Sequence, residues 1–231
     1  MRRQGLVDKA GEVQSRGQVG QVQTHGEEII KMKLYMVRHG ETYHNVLKLH
    51  QGHYNSVLTP KGIRQADLIG ERLKDENFDI LYSSDLERAV MTAGTIARHH
   101  PDLAWMKMEQ LREGAKGIYE NQPYGADHEE QKRQNVPGWR FKPKGGESWA
   151  ELWDRTVKFY DELKLKHDKD SVLLVSHGGP LLCMIMRLND HSIDDVVNYK
   201  HLNNTSLSIY DSEKQMMALY NCTKHLENLA D

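Results

Sequence analysis

Apolar positions along the chain fall into two rhythms. Leu34, Tyr35, Met36 and Val37 form an unbroken run, the pattern of a strand covered on both faces rather than on one. Comparable short runs predict further strands at 80–83, 172–176, 206–210 and 216–220. Between them, apolar residues recur at three- and four-residue intervals and predict helices over about 59–74, 85–99, 148–166 and 179–188. Thr59 is placed as an N-cap, because its hydroxyl can accept an open N–H of the first turn, and Pro60 suits the first helical position. Strands alternating with helices predict a three-layer α/β/α sandwich around a largely parallel central sheet.

Two stretches lack either rhythm. Residues 1–31 are rich in Gln, Gly and Val, contain no aromatic residue and show no sustained period, so they are expected to be a disordered N-terminal extension ahead of Met32. Arg2 and Arg3 are not followed by an apolar core segment, and the acidic residues Asp8, Glu12, Glu27 and Glu28 oppose a transit peptide. The second stretch, 114–146, is polar and weakly periodic, as expected of a lid-like insertion or rim within one domain spanning 32–231. The polypeptide's 231 residues suffice for one full core.

Composition narrows the functional classes. With 31 basic against 33 acidic residues the formal charge is −2, which offers no general field for nucleic acid or an anionic membrane. Neither partner is expected, and any anion site must be local. Cys183 and Cys222 stand alone in the sequence, which suggests neither a disulfide framework nor a zinc site and fits a cytoplasmic protein. The longest apolar run, 180–186, is far short of the roughly 20 residues that cross a bilayer.

Chemistry concentrates where strands end. The first predicted strand runs into Arg38-His39-Gly40-Glu41-Thr42, with Asn45 just after, and the strand at 172–176 runs into His177-Gly178-Gly179-Pro180. In open α/β sheets ligands sit beyond the carboxyl ends of the strands, so both histidines are expected at one edge. A neutral imidazole is a good nucleophile toward phosphorus, Arg38 supplies planar charged donors, and Gly40 allows a close backbone approach that orients the ring. The turn of His177 into a helix adds N–H groups suited to an anion.

The Arg-His-Gly-Glu-Thr segment resembles the signature of the histidine phosphatase superfamily, in the branch similar to cofactor-dependent phosphoglycerate mutases. The resemblance continues in order through Gln51-Gly52, Leu58-Thr59 with Gly62 and Gln65-Ala66, Ser83-Ser84-Asp85-Leu86 with Arg88-Ala89 and Thr92-Ala93, Leu111-Arg112-Glu113 with Gly117 and Glu120, Gly145-Gly146-Glu147-Ser148, and Val175-Ser176-His177-Gly178-Gly179. It covers roughly residues 32–220 and implies a phosphoglycerate mutase-like fold. It also implies that His39 becomes phosphorylated, that Arg38, Arg88 and His177 hold the transferring phosphoryl group, and that Glu113 acts as general acid and later as base. Thr42, Asn45, Gln51, Gly52 and Gly178 match positions that contact phosphate or substrate. Two arginines and a second histidine can meet the demand of phosphoryl transfer for positioned positive donors, so neither a metal nor another cofactor is expected.

Within that family the choice lies between a phosphatase acting on a small phosphorylated metabolite and a mutase. Mutases follow the acid glutamate with an Arg-His-Tyr-Gly stretch and later carry an arginine pair for the substrate carboxylate. This chain has Gly114-Ala115-Lys116-Gly117 and then Trp139-Arg140, a departure that favours the phosphatase. An inactive phosphate-binding or regulatory module is the alternative of another class, opposed by the presence of all five catalytic matches. Several other residues are expected to be structural. His44, His50 and His53 read as solvent-exposed loop histidines, His99-His100 as a helix end before Pro101, and Trp149, Trp153 and Tyr160 as one core-facing helix side. Lys116, Lys132, Arg133, Arg140, Lys142 and Lys144 read equally well as a solvated rim or as a reception for phosphate. Sequence leaves the oligomeric state open.

Overall fold

A computed structural model describes residues 31–229. The expectation of disorder for 1–31 therefore falls outside the described residues except at Lys31, whose backbone N–H donates to the Asp168 carbonyl at 2.6 Å. Six strands form one sheet: β1 (Lys33–Arg38), β2 (Ile80–Ser84), β3 (Trp105–Met108), β4 (Ser171–Ser176), β5 (Leu207–Asp211) and β6 (Met216–Cys222). Their spatial order is β3-β2-β4-β1-β5-β6. The β3/β2, β2/β4 and β4/β1 pairs are parallel, and β5 and β6 close one side antiparallel.

The period-2 geometry of β1 explains its continuous apolar sequence. Leu34 and Met36 point to one face, where they join Val172 and Leu174 of β4 beneath the helices α5 (Trp149–Lys166) and α6 (Gly178–Leu188). Tyr35 and Val37 point to the other, against α2 (Pro60–Leu73) and α3 (Glu87–Ala97). Both layers are thus needed to cover one strand. Trimming a side chain such as Leu174, fully buried at this centre, to alanine costs about 2–5 kcal/mol.

Local chemistry sets the helix ends. The Thr59 hydroxyl accepts the Gly62 N–H at 2.9 Å and Pro60 occupies the first turn of α2, as expected. The predicted 85–99 helix is shorter, because Leu86 holds an extended conformation and donates its N–H to the Ser84 hydroxyl at 3.2 Å, which delays the start to Glu87. Beyond its end, the His100 ring faces the Leu73 carbonyl at 3.1 Å and so finishes the neighbouring α2. Two short helices were not expected: α1 (Tyr43–Leu47), capped by Thr42, and α4 (His128–Gln134). β3 was missed as well, since its short apolar run at 103–106 is broken at Lys107 and lies on a sheet edge where half the strand's residues are exposed.

The buried side of α5 consists of Leu152, Thr156, Phe159, Tyr160 and Leu163. That corrects the expectation for the aromatic residues: Tyr160 is core, whereas Trp149 and Trp153 are only half-buried. Within 114–146, α4 and two 3-10 turns at Gly117–Tyr119 and Gly138–Arg140 form a largely exposed rim. Among the described residues no helix is long and apolar enough to cross a membrane.

Candidate functional site

β1 and β4 lie in register, Arg38 opposite Ser176, so the residues following them emerge side by side. The His39 backbone N–H donates to the Ser176 carbonyl at 2.9 Å, and the His39 and His177 rings stand 5.1 Å apart between centroids. Both are buried. His39 Nδ1 lies 2.7 Å from the Gly40 carbonyl. A carbonyl only accepts, so Nδ1 carries the proton and Nε2 presents its lone pair. Burial, then the Arg88 and Arg38 charges, hold the His39 pKa well below the usual histidine value.

His177 is fixed from both ring nitrogens. Arg88 Nε donates to Nδ1 at 3.2 Å, which leaves the other proton on Nε2, 2.8 Å from the Ser84 hydroxyl. Burial and the Arg88 charge depress its pKa as well. Arg88 itself is almost fully buried; its two terminal nitrogens donate to the Tyr54 carbonyl at 3.0 Å and the Gly52 carbonyl at 2.8 Å. Three of the five guanidinium N–H groups are then engaged and two remain. The ion pair with neighbouring Glu87 that a surface arginine would make is not its environment; burial pushes its pKa down to about 10.

Arg38 donates from one terminal nitrogen to the Leu202 carbonyl, and its Nε is buried without any partner. An orphaned, charged donor in a protein interior costs free energy unless a ligand satisfies it. Gly178 leaves room on this side: a Cβ there would lie 3.7 Å from Arg38 Nε and 3.9 Å from Glu113 Oε2. Glu113 accepts the Gly179 N–H through both oxygens, at 3.2 and 3.3 Å, and the Gly114 N–H at 3.0 Å. This N–H of the α6 N-terminus, expected to face an anion directly, is therefore occupied by the Glu113 carboxylate.

The remaining sequence candidates divide into near and supporting positions. Asn45 Oδ1 accepts from the Thr42 N–H at 3.1 Å and from Asn204 Nδ2 at 3.3 Å. The Thr42 hydroxyl is fully buried and donates toward Gln51 Oε1 at 3.0 Å, so Thr42 braces α1 and Gln51 instead of opening into the site. Gly52 adopts φ +52°, and a Cβ on it would lie 2.6 Å from the Lys116 backbone nitrogen, a clearance that only glycine meets. Gly40 also has a different reason from the one expected: a Cβ would approach the Gly62 carbonyl oxygen to 2.5 Å, so the constraint is helix packing.

The loop histidines also depart from expectation. His44 is buried with Nε2 3.0 Å from Asn121 Oδ1, His50 Nε2 lies 3.6 Å from Asp127 Oδ1, and His53 Nε2 lies 3.0 Å from the Glu113 carbonyl. They tie the loop after α1 to the rim instead of facing solvent. Sequence reasoning missed Asn204, which donates to the His39 carbonyl at 3.0 Å. It also missed Arg155, which clamps Glu147 at 2.8 and 2.7 Å and reaches the Glu113 carbonyl at 3.3 Å. Neither stands in a recognisable motif. Three of the rim cations are paired locally, Lys132 with Glu129 at 2.8 Å, Arg133 with Glu130 at 2.5 Å and Lys142 with Glu151 at 2.5 Å. Among the described residues no three His, Cys, Asp or Glu side chains gather as a metal-binding group.

Comparison with known proteins agrees with this geometry. The histidine phosphatase superfamily (branch 1) matches residues 34–223. A metal-independent phosphoserine phosphatase of Arabidopsis thaliana is 34% identical over 189 residues, covering 74% of this chain and 76% of its own. A probable phosphoglycerate mutase GpmB of Yersinia pestis is 35% identical over 161 residues, covering 68% and 74%. The crystal structure of a mutant phosphoserine phosphatase from Entamoeba histolytica in complex with phosphoserine superimposes with a TM-score of 0.73 at 29% identity, covering 84% of this chain and 99% of that one. With its phosphoglycerate mutase-like sheet and its paired histidines at the strand ends, the chain belongs to the histidine phosphatase superfamily and is a phosphatase by class.

Proposed function

We propose that the protein hydrolyses a small phosphomonoester through a phosphohistidine formed on Nε2 of His39. One observation carries this: a buried, unpartnered Arg38 Nε beside a neutral imidazole whose Nε2 bears no proton. In the first step Nε2 attacks phosphorus, the P–N bond forms as the P–O bond to the alcohol breaks, and Glu113 delivers a proton to the leaving oxygen. Arg38, the two uncommitted N–H groups of Arg88, and the Asn45 amide surround the equatorial oxygens, with His177 alongside. His177 Nε2 turns its proton from Ser84 to the phosphoryl oxygen as the group arrives. In the second step water, deprotonated by Glu113, attacks phosphorus and restores the imidazole.

Thr42, Gln51, Gly52 and Gly178 shape this centre, the first two by bracing, Gly52 by offering its carbonyl to Arg88, and Gly178 by leaving space. Residues 32–231 act as one domain with 114–146 as its lid. The unpaired Cys183 and Cys222 fit a reducing cytoplasm. The mutase reading draws on the name of the Yersinia relative; the sequence after Glu113 and the single arginine at 140 oppose it. Rapid quenching with a 32P-labelled substrate should trap an acid-labile, base-stable label on the wild-type chain and none on His39→Ala, which should also lose turnover while keeping its fold. Substantial turnover by folded His39→Ala would remove covalent catalysis.

A further inference from the structure

A cavity of about 390 Å³ lies between the rim and the segment before β5, walled by the N-terminal turns of α5 and α6. Its volume is in the range of small-molecule sites, well beyond what a three-carbon alcohol fills. Trp139, Phe141, Trp149, Tyr199 and Leu182 supply the apolar walls, and Lys116 stands at one side. Trp139, Trp149 and Tyr199 are half-buried, leaving ring surface open at the cost of water contact. Of the acidic wall groups, Glu147 is clamped by Arg155, and Asp127 stands 3.6 Å from the His50 ring. Beside the polar groups Lys116, Gln131 and His201, the cavity offers mainly aromatic and aliphatic surface.

Several walls are tied to the anion centre through the chain. Lys116 follows Glu113 by three residues, Leu182 is on the helix whose first turn carries Gly178 and Gly179, and Tyr199 precedes Leu202, whose carbonyl holds Arg38. Glu147 shares Arg155 with the Glu113 carbonyl. We propose that this cavity receives the alcohol of the substrate, and that this alcohol carries a planar apolar group such as an aromatic ring or a flat heterocycle, in contrast to the small polar alcohol of phosphoserine. The assignment rests on the phosphatase reading above. Offset stacking on Trp and Tyr faces favours a flat ligand over a bulky aliphatic one.

Two measurements test it separately from that reading. In steady-state assays 1-naphthyl phosphate should show kcat/KM at least tenfold above phosphoserine, and Trp139→Ala and Tyr199→Ala should each shrink that ratio about tenfold, mainly through KM. In calorimetry, which needs no turnover, naphthylmethylphosphonate should bind at least tenfold tighter than methylphosphonate. Turnover of both esters at similar kcat/KM, or variants that lower both alike, overturns the cavity assignment and leaves the phosphatase intact. Absence of turnover with a retained aryl preference in binding supports the cavity and overturns the phosphatase; equal binding of the two phosphonates overturns the cavity whatever the kinetics.

Discussion

The protonation state of His39 is decided by its neighbours rather than by the bulk pH. The Gly40 carbonyl fixes the proton on Nδ1, while burial and two guanidinium groups oppose a second proton. His177 experiences the same burial and the same Arg88 charge. In the unfolded chain each ring titrates at about pH 6.5, the ordinary histidine value. Below that pH the unfolded chain takes up protons that the native one refuses, so the stability these rings contribute is complete above about pH 6.5 and declines as pH falls. The denaturant midpoint of the wild type should drop between pH 7 and 5, and His39→Ala should show a shallower decline. Parallel curves for the two proteins would mean that His39 is protonated normally in the native state. At this scale the sequence singled out Arg38, His39, Arg88, Glu113 and His177, which the fold brings together, because each sits in a compact motif. Asn204 and Arg155 stayed hidden, since a single amide or arginine far along the chain acquires its meaning only from the carbonyl it meets after folding.

Elements matter here through how closely they approach. The His39 loop crosses the first turn of α2 so tightly that Gly40 has no room for a Cβ beside the Gly62 carbonyl. Gly40→Ala must therefore shift the loop or the helix, an overpacking that costs about 1–3 kcal/mol, and the shift is transmitted to the ring whose carbonyl contact defines its tautomer. Thr59→Ala removes only the cap of α2 and should cost about 1 kcal/mol. Chemical denaturation should rank Gly40→Ala as the more destabilised, with a loss of kcat that Thr59→Ala does not share; equal stability and full activity for both would refute the tight-approach account. The strands with continuous apolar runs and the capped α2 were legible because local pattern and tertiary role coincide. β3 and α1 were not: an exposed edge strand is defined by its pairing with β2, and a five-residue helix by one threonine cap and its packing. The start of α3 was misplaced for a related reason. Ser84 and Asp85 have good helix-start chemistry, but Ser84 is drawn to His177 and Asp85 to Arg112 at 2.7 Å.

Across the whole molecule a formal charge of −2 surrounds a centre with two buried guanidinium groups. Positive charge is thus already built into the fold, and the proposed mechanism asks these guanidinium groups, rather than a divalent ion, to meet the phosphoryl charge. Under the proposed mechanism the fate of a phosphohistidine after the first half-reaction falls to the rim. A mutase must hold the dephosphorylated product long enough to return the phosphoryl group to another oxygen, which in the family's mutases falls to a pair of arginines on the substrate carboxylate. Here Arg140 lies 4.6 Å from the Trp139 ring it covers, and residue 139 offers an indole in place of a second guanidinium. On the proposed mechanism a product carboxylate should then be held weakly and water should reach the phosphohistidine first. With 3-phosphoglycerate and a priming amount of 2,3-bisphosphoglycerate, in EDTA, the enzyme should release inorganic phosphate with 2-phosphoglycerate below about a tenth of product, a margin corresponding to about 1.4 kcal/mol between the two fates. Isomerisation outrunning phosphate release would show that the rim retains its product after all, and a rate that vanished with EDTA would mean that the guanidinium pair alone does not carry the charge.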